Sequence, residues 1–239
     1  MKSQIILTPR LEAAASLVGC GSFADIGTDH AYLAIRLALE HGVDGIASDL
    51  REGPCEVARK NIKEYGLDRR IKVYCRAGLD SIEEFAPDNV IICGMGGELI
   101  SEIIEHSAYP KSSRCHLILQ PMSMQDKLRH YLCREGYAIR NELVVFDSSK
   151  YYQLISAEYT GDIYSLDEVE ALLGQLNLKR AEKSLSETDR GWLEGVLKAA
   201  KNRFNGRQKS DVGTSSPEQL TDHSLIERIE AIFQAQCNE

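Results

Sequence analysis

The amino-acid sequence predicts an α/β fold, with a seven-stranded mixed sheet in residues 1–160 and a small helical, coiled-coil-like domain in residues 161–239. β-type and helical patterns alternate from residue 23 to residue 135, which indicates parallel strands joined by helices. Two long β-type runs, 137–146 and 151–159, are separated by four polar residues and therefore predict an antiparallel hairpin. Only helical patterns remain after Gly161.

The composition sets the broad class of protein. The 239 residues carry a formal net charge of −8, so the chain as a whole does not attract nucleic acid, although local patches could. No apolar run reaches the roughly 18 residues of a membrane span. The apolar run at the start of the chain is too short for the core of a secretory signal, and we expect a cytoplasmic protein. The seven cysteines form no Cys-x-x-Cys pair, which predicts core thiols and no metal site.

The first helix begins at Thr8 and Pro9, which supply a cap and a preset φ. A strand at 23–26 follows, and then Gly27 and a helix that begins at Ala31. In such a strand, turn and helix, the helix N-terminus and the bare glycine backbone admit an adenosine-bearing ligand. Asp29 stands where dinucleotide sites usually carry another glycine.

Asp49 ends a predicted second strand at 42–50, roughly 20 residues after the glycine turn, where an acid is placed to bond a ribose diol. The alternative to this ribose contact is that Asp49 caps the helix that begins near Gly53 and Pro54. A helix at 55–65 and a third strand at 71–75 follow. Alternating units with these features favour a nucleotide-binding sheet.

The fourth strand, 89–93, leads into Gly94, Met95, Gly96 and Gly97. Three glycines in four residues mean that the backbone bends sharply or that a ligand lies against it, and a purely structural turn stays open. A helix at 98–106, a fifth strand at 116–119 and a helix at 127–135 complete the alternation.

The C-terminal segment predicts three amphipathic helices that pack as a small antiparallel bundle, with a polar loop through Ser215 and Ser216 before the third. Between Lys179 and Lys209, nine basic residues stand against four acidic ones. A second basic excess lies between Arg51 and Arg76. A solvated helix face explains such runs, but patches on both domains could also flank a phosphate backbone.

Three motifs together resemble a known family: residues 25–33 (DIGTDHAYL), 94–97 (GMGG) and 117–121 (LILQP). They are similar to the bacterial tRNA (adenine-N1)-methyltransferases of the TrmK type, over roughly residues 7–160. The resemblance implies a class I S-adenosylmethionine-dependent methyltransferase with a Rossmann-like sheet and an antiparallel terminal hairpin. It also implies methylation of N1 of adenine 22 in tRNA, tRNA as partner, neither metal nor membrane, and a monomer or weak dimer.

The residues that would hold S-adenosylmethionine follow from this resemblance: Asp25, Gly27, His30, Asp49, Leu50, Ala77, Gly78, Gly94 and Met95. Ala77 departs from the acid with which related proteins tend to contact the cofactor's adenine. The residues expected to hold the tRNA lie at strand ends, on the hairpin and on the basic helices: Arg10, Gly96, Gly97, Gln120, Pro121, Lys150, Tyr152, Lys198, Lys201 and Arg203.

Asp29 is the expected catalytic residue. Adenine N1 attacks the sulfonium methyl directly, and a carboxylate stabilises the cationic product or accepts a proton. The alternative for Asp29 is a cap on the following helix. His30 could act as a base or make a structural hydrogen bond.

Three other functions stay open from the sequence: a small-molecule methyltransferase, a nicotinamide dehydrogenase and a non-catalytic RNA-binding protein. The acid or Asn followed by two prolines that exocyclic-amine methyltransferases carry is absent after the fourth strand.

Overall fold

The computed structural model describes residues 5–210 and 217–237. The chain divides into two compact units, Met1–Ser165 and Leu166–Glu239. The polar loop predicted at Ser215 and Ser216 lies outside the described residues, as do the first four residues of the chain. None of the helices in the described ranges combines the length and the apolarity that a bilayer crossing requires.

The first unit contains a seven-stranded mixed sheet, as predicted, in the order β3-β2-β1-β4-β5-β7-β6. Its strands are β1 Phe23–Ile26, β2 Gly45–Asp49, β3 Ile71–Cys75, β4 Asn89–Gly96, β5 His116–Ser123, β6 Tyr137–Asp147 and β7 Lys150–Tyr159. The first five strands are parallel, and β7 runs antiparallel to both β5 and β6. The strand order reverses between β1 and β4, where α/β sheets open a crevice at the carboxyl ends of the strands.

Six helices of the first unit cover the sheet: α1 Pro9–Leu17, α2 Tyr32–His41, α3 Glu52–Glu64, α4 Gly97–Glu105, α5 Tyr109–Ser113 and α6 Gln125–Arg134. A short 3₁₀ turn spans Ile82–Glu84, and neither it nor α5 has a strong periodic signal. Alternate residues of β4 enter two separate cores: Ile91 joins the α1, α2 and α3 side, whereas Val90 and Ile92 join the other. The near-continuous apolar character of β4 therefore reflects burial on both faces.

The hairpin between β6 and β7 is tighter than the sequence predicts. Asp147 pairs with Lys150, so only Ser148 and Ser149 form the turn. Both serines have positive φ, 49° and 66°, which is the two-residue turn whose twist matches that of the strands. The four-residue connection was wrong because serine, unlike glycine or asparagine, gives little signal for this turn.

The second unit consists of α7 Glu168–Leu173, α8 Gln175–Lys183, α9 Glu187–Ser210 and α10 Pro217–Cys237. The first predicted helix is in fact two, because Gly174 at φ 89° interrupts it. α9 continues through Asn205 and Gly206, although these residue types are typical of helix ends. Leu193 and Ala200 of α9 are buried, as are Leu225, Ile229 and Ile232 of α10, so these helices bury their apolar stripes.

Candidate active site

The turn after β1 is held by backbone bonds to β2. The amides of Gly27 and Thr28 both donate to the carbonyl of Ser48, at 2.8 Å each. The Thr28 hydroxyl accepts from the amide of Ala31, which has φ 56° and precedes α2. A further bond, from Asn61 Nδ2 to the His30 carbonyl at 2.9 Å, fixes the loop to α3. These hydrogen bonds tie the turn to β2 and to α3.

Gly27 has a φ of 78°, a backbone conformation that residues with a side chain rarely adopt. A Cβ built there would lie 2.1 Å from Cε of Met95. The Met95 side chain thus rests on the bare backbone of Gly27. The two predicted cofactor residues, one from β1 and one from β4, are brought together at the point where the strand order reverses.

Asp25 lies at the bottom of the site and is 6% exposed. Burial raises the pKa of its carboxyl to about 6, and a hydrogen bond with Thr28 lowers the pKa in part. The carboxylate is therefore poorly solvated when it is charged. A bound cation would stabilise its ionised form.

Asp25 and Gly27 line a cleft of about 530 Å³, whereas the predicted cofactor residues Met95 and Asp49 are not among its lining residues. The cleft brings together six of the predicted site residues, Arg10, Asp25, Gly27, Asp29, His30 and Gly94. Sequence reasoning did not assign a role to the other lining residues, which are Thr8, Leu11, Thr28, Ala31, Tyr32, Leu33, Arg51 and Cys93. Burial raises the pKa of the Cys93 thiol to about 12, with a smaller rise from the Asp25 charge, so this thiol is neutral.

Asp29 and His30 project into the open part of the cleft. Oδ2 of Asp29 is 3.2 Å from Nε2 of His30, and the two side chains are 72% and 50% exposed. The His30 ring also stacks on Tyr32, with centroids 5.6 Å apart. Ala31 is the residue that precedes α2, and no side chain caps that helix. The helix-cap alternative for Asp29 is therefore wrong.

The predicted ribose acid, Asp49, ends β2 and is 8% exposed. Its Oδ1 accepts from the amide of Arg51 at 2.8 Å and from Nε of the same residue at 3.2 Å. Both of these hydrogen bonds fall on Oδ1, and among the described residues no hydrogen bond falls on Oδ2 of Asp49. Leu50, Ala77 and Gly78 lie beyond the ends of β2 and β3 and are not among the cleft-lining residues.

The glycine-rich stretch after residue 93 is a strand end and not a free turn. β4 continues to Gly96, with register shifts against β5 on both sides of Met95 and a φ of 81° at Gly94. α4 begins at Gly97, where a Cβ would meet the backbone oxygen of Met124 at 2.1 Å. The prediction that β4 ends at Cys93 was wrong because bulges leave no periodic signal.

Gln120 connects the first helix to the strand ends. Its Oε1 accepts from Arg10 Nη1 at 2.6 Å and from the amide of Gly94 at 3.1 Å. Its Nε2 donates to the Pro121 carbonyl at 2.9 Å. The Arg10 guanidinium also lies over the Tyr152 ring, 5.4 Å from the centroid. Four predicted substrate residues from α1, β5 and β7 therefore form one contact network beside the cleft, in which the Gln120 amide is already bonded at both ends.

The remaining predicted substrate residues are dispersed. Lys150 lies exposed beside the hairpin turn, and Gly96 and Gly97 join β4 to α4. The three α9 residues predicted to hold the tRNA, Lys198, Lys201 and Arg203, belong to the second unit. There Lys201 is ion-paired with Glu230 and Arg203 with Asp222, both at 2.6 Å, whereas Lys198 is exposed.

Comparison with known proteins gives a consistent set of relatives. The family model described as a methyltransferase domain matches residues 7–155. A tRNA (adenine(22)-N(1))-methyltransferase of Bacillus subtilis is 34% identical over 158 residues, which are 65% of this chain and 66% of the relative.

Two solved structures cover almost the whole chain. The m1A22 tRNA methyltransferase TrmK of B. subtilis is 27% identical with a TM-score of 0.75, over 97% of this chain and 99% of the other. A candidate tRNA (m1A22) methyltransferase of Streptococcus pneumoniae, in complex with S-adenosyl-L-methionine, is 28% identical with a TM-score of 0.77, over 95% and 99%.

Proposed function

The chain belongs to the methyltransferase domain family and, within it, to the TrmK type, and on that premise we propose that it methylates N1 of adenine 22 in tRNA with S-adenosylmethionine as donor. The observation that carries the proposal is the cleft between the ends of β1 and β4. A buried carboxylate, a glycine turn and a bulged strand end meet there. The reversed hairpin of β6 and β7 fits a methyltransferase sheet, and family membership removes the dehydrogenase alternative.

S-adenosylmethionine presents an ammonium, a carboxylate, a ribose diol and an adenine. Asp25 is the group for the ammonium, because a cation relieves the poor solvation of its buried carboxylate. Gly27 and Gly94 allow the ligand to approach the backbone, and Asp49 offers Oδ2 to the ribose. The flexible side chain of Met95 lies against Gly27 at the same place.

The chemistry needs positioning more than acid or base strength. The lone pair of adenine N1 attacks the methyl carbon, the sulfur leaves as a neutral thioether, and the positive charge moves to the base. Asp29 supplies a carboxylate at the mouth of the cleft for that charge, and the neighbouring His30 holds it at 3.2 Å. The substrate base is buried in folded tRNA, so it must be unstacked before it reaches the cleft.

The second unit is assigned to tRNA binding through its basic face, of which Lys198 is an exposed member. Lys201 and Arg203 contribute charge but are tied to carboxylates of the same unit. A tRNA substrate also implies that the protein works in the cytoplasm, and we expect a monomer or weak dimer.

The decisive experiment is incubation with labelled S-adenosylmethionine and an unmodified tRNA transcript, followed by mapping of the methylated base. We expect label on N1 of adenine 22 and none on a transcript with guanine at that position. Binding measured against salt should show the steep dependence that phosphate contacts produce. Label on a small molecule only, or on no acceptor, would contradict the proposal.

A further inference from the structure

An aromatic pair stands exposed at the tip of the β6–β7 hairpin. Phe146 and Tyr151 are directly opposite in the strand register, and their rings lie 4.9 Å apart at 50°. The two residues are 50% and 37% exposed. Large apolar side chains at such exposure have not found a place in either core, although both cores lie close by along the same strands.

The hairpin holds this pair rigidly. Below it, on the same face by strand alternation, Glu142 accepts from Nε of Arg129 and Gln153 accepts from Nη2 of Arg129, each at 2.6 Å. Arg129 and Glu142 are fully buried, so α6 is locked to both strands beneath the tip. The two-residue turn at Ser148 and Ser149 closes the other end. The strands that carry the two rings are therefore tied to α6 below the tip and joined by a tight turn above it.

The pair is also next to the proposed catalytic cleft. Asp147 and Tyr152, the neighbours of Phe146 and Tyr151 in the chain, both contact Arg10: Oδ2 of Asp147 accepts its amide at 3.4 Å, and the ring of Tyr152 lies under its guanidinium. Arg10 lines the cleft. The tip thus presents a cationic side toward the cleft and an aromatic side away from it.

Other exposed groups at the same end of the sheet fit the same kind of ligand. Met122 lies near the end of β5 and Met124 directly after it, and they are 45% and 46% exposed; Leu99 at the start of α4 is 47% exposed. Lys150 adds an exposed cation directly beside Tyr151. The flat rings of Phe146 and Tyr151 suit stacking on a nucleobase, and the exposed ammonium of Lys150 beside them suits the phosphate of the same nucleotide.

We propose that Phe146 and Tyr151 form a stacking site for a nucleobase next to the target adenine in the acceptor RNA. This inference rests on the proposed function and names the part of the RNA that the hairpin holds. The target base itself must enter the cleft on the Arg10 side. A neighbouring base that lost its stacking partner would then rest on the aromatic side, which offsets part of the unstacking free energy.

The test uses tRNA transcripts with 2-aminopurine on the 5′ or the 3′ side of adenine 22, titrated with the full-length protein. We expect one of the two probes to be quenched by wild type. Phe146→Ala and Tyr151→Ala should lose that quenching and bind tRNA roughly tenfold or more weakly, since base stacking on an aromatic ring has about that effect. Tyr151→Phe should behave as wild type, and S-adenosylmethionine affinity should be unchanged in all three variants.

Leu39→Ala is the matched control, because Leu39 is equally exposed, at 50%, on α2. Equal tRNA affinity and quenching in the alanine variants and wild type would overturn the stacking site, as would an equal loss in Leu39→Ala. A wild-type protein that quenches the probe but methylates no tRNA would overturn the proposed function and leave the stacking site standing.

Discussion

Arg10 Nη1 and Gly94 N share one acceptor, Oε1 of Gln120, at 2.6 and 3.1 Å. Gln120 is fully buried, so water cannot reach its Oε1 to replace either donor unless the surrounding residues move. One side chain of β5 thereby sets the position of a guanidinium from α1 and of the glycine that ends the regular part of β4. Gln120 therefore positions two of the groups that line the cleft.

Gln120→Met tests this relationship. The substitution keeps the volume but removes the shared acceptor, and we expect the free energy of unfolding to fall by about 1 to 3 kcal/mol. Arg10→Met should weaken activity with a smaller loss of stability. A double-mutant cycle from chemical denaturation should give a coupling of at least about 0.5 kcal/mol, and strict additivity would show that the bond contributes nothing.

Asp29→Asn should retain S-adenosylmethionine affinity and lose roughly a hundredfold or more in single-turnover methylation, because the carboxylate acts on the charge that develops in the base. Asp44→Asn is the control, since Asp44 is an exposed carboxylate before β2, at the opposite end of the sheet. Wild-type turnover in Asp29→Asn would remove the catalytic assignment.

Asp25 should make cofactor affinity depend on pH. Burial raises the pKa of this carboxyl to about 6, so the ammonium of S-adenosylmethionine must displace a proton below that pH. Affinity measured by calorimetry should therefore fall as the pH is lowered from 7.5 to 5. Asp25→Asn should bind the cofactor weakly at every pH, and a wild-type pH profile in that variant would contradict the role.

The same residue should limit the stability of the free protein. A carboxyl whose folded pKa lies above its unfolded value stabilises the fold fully below the unfolded pKa of 3.8 and loses that contribution as the pH rises through about 6. At pH 7.5 the buried, ionised carboxylate of Asp25 therefore lowers the free energy of unfolding. Asp25→Asn removes this charge and should raise the free energy of unfolding by about 2 kcal/mol. At pH 4 the two proteins should unfold alike in thermal melts.

Gly97→Ala should destabilise the protein by about 2 to 3 kcal/mol, because the new Cβ would meet the backbone oxygen of Met124. A backbone atom cannot move aside by changing rotamer, as the end of a side chain can. Gly53→Ala is its control. Among the described residues, no atom beyond the adjoining residues and backbone of the same helix lies within 4 Å of a Cβ at that position, so alanine should be neutral or stabilise by up to about 1 kcal/mol. Equal melting temperatures for the two variants would contradict the close approach.

Substitutions of Arg203 and Lys198 should have separate effects in the second unit, the first on stability and the second on RNA binding. Arg203→Gln removes the charged partner of Asp222, whose side chain is 4% exposed, and should lower stability by about 1 to 3 kcal/mol. Lys198→Gln should leave stability unchanged while reducing the slope of tRNA affinity against salt by about one. The reverse pattern would assign the phosphate contact to Arg203.

Much of the sheet could be predicted because its signals are local. The glycine turn after β1, the alternation of strands and helices and the long β runs of the hairpin each occupy a few adjacent residues. The errors fall where the deciding contact is distant or unmarked. Gly174 breaks a helix within an apolar stripe, and the bulged end of β4 depends on its register with β5.

The sequence by itself determined the fold class and the glycine turn, since periodicity and turn chemistry depend on neighbouring residues, and three short motifs carried the resemblance to the family. Only the tertiary structure decided how the site is assembled. It joins Arg10 to Gln120 across 110 positions, rests Met95 on Gly27 and ties Arg203 to Asp222. It also removes water from Asp25 and so raises its pKa. Solvation and long-range contacts depend on packing in three dimensions, which no local pattern encodes.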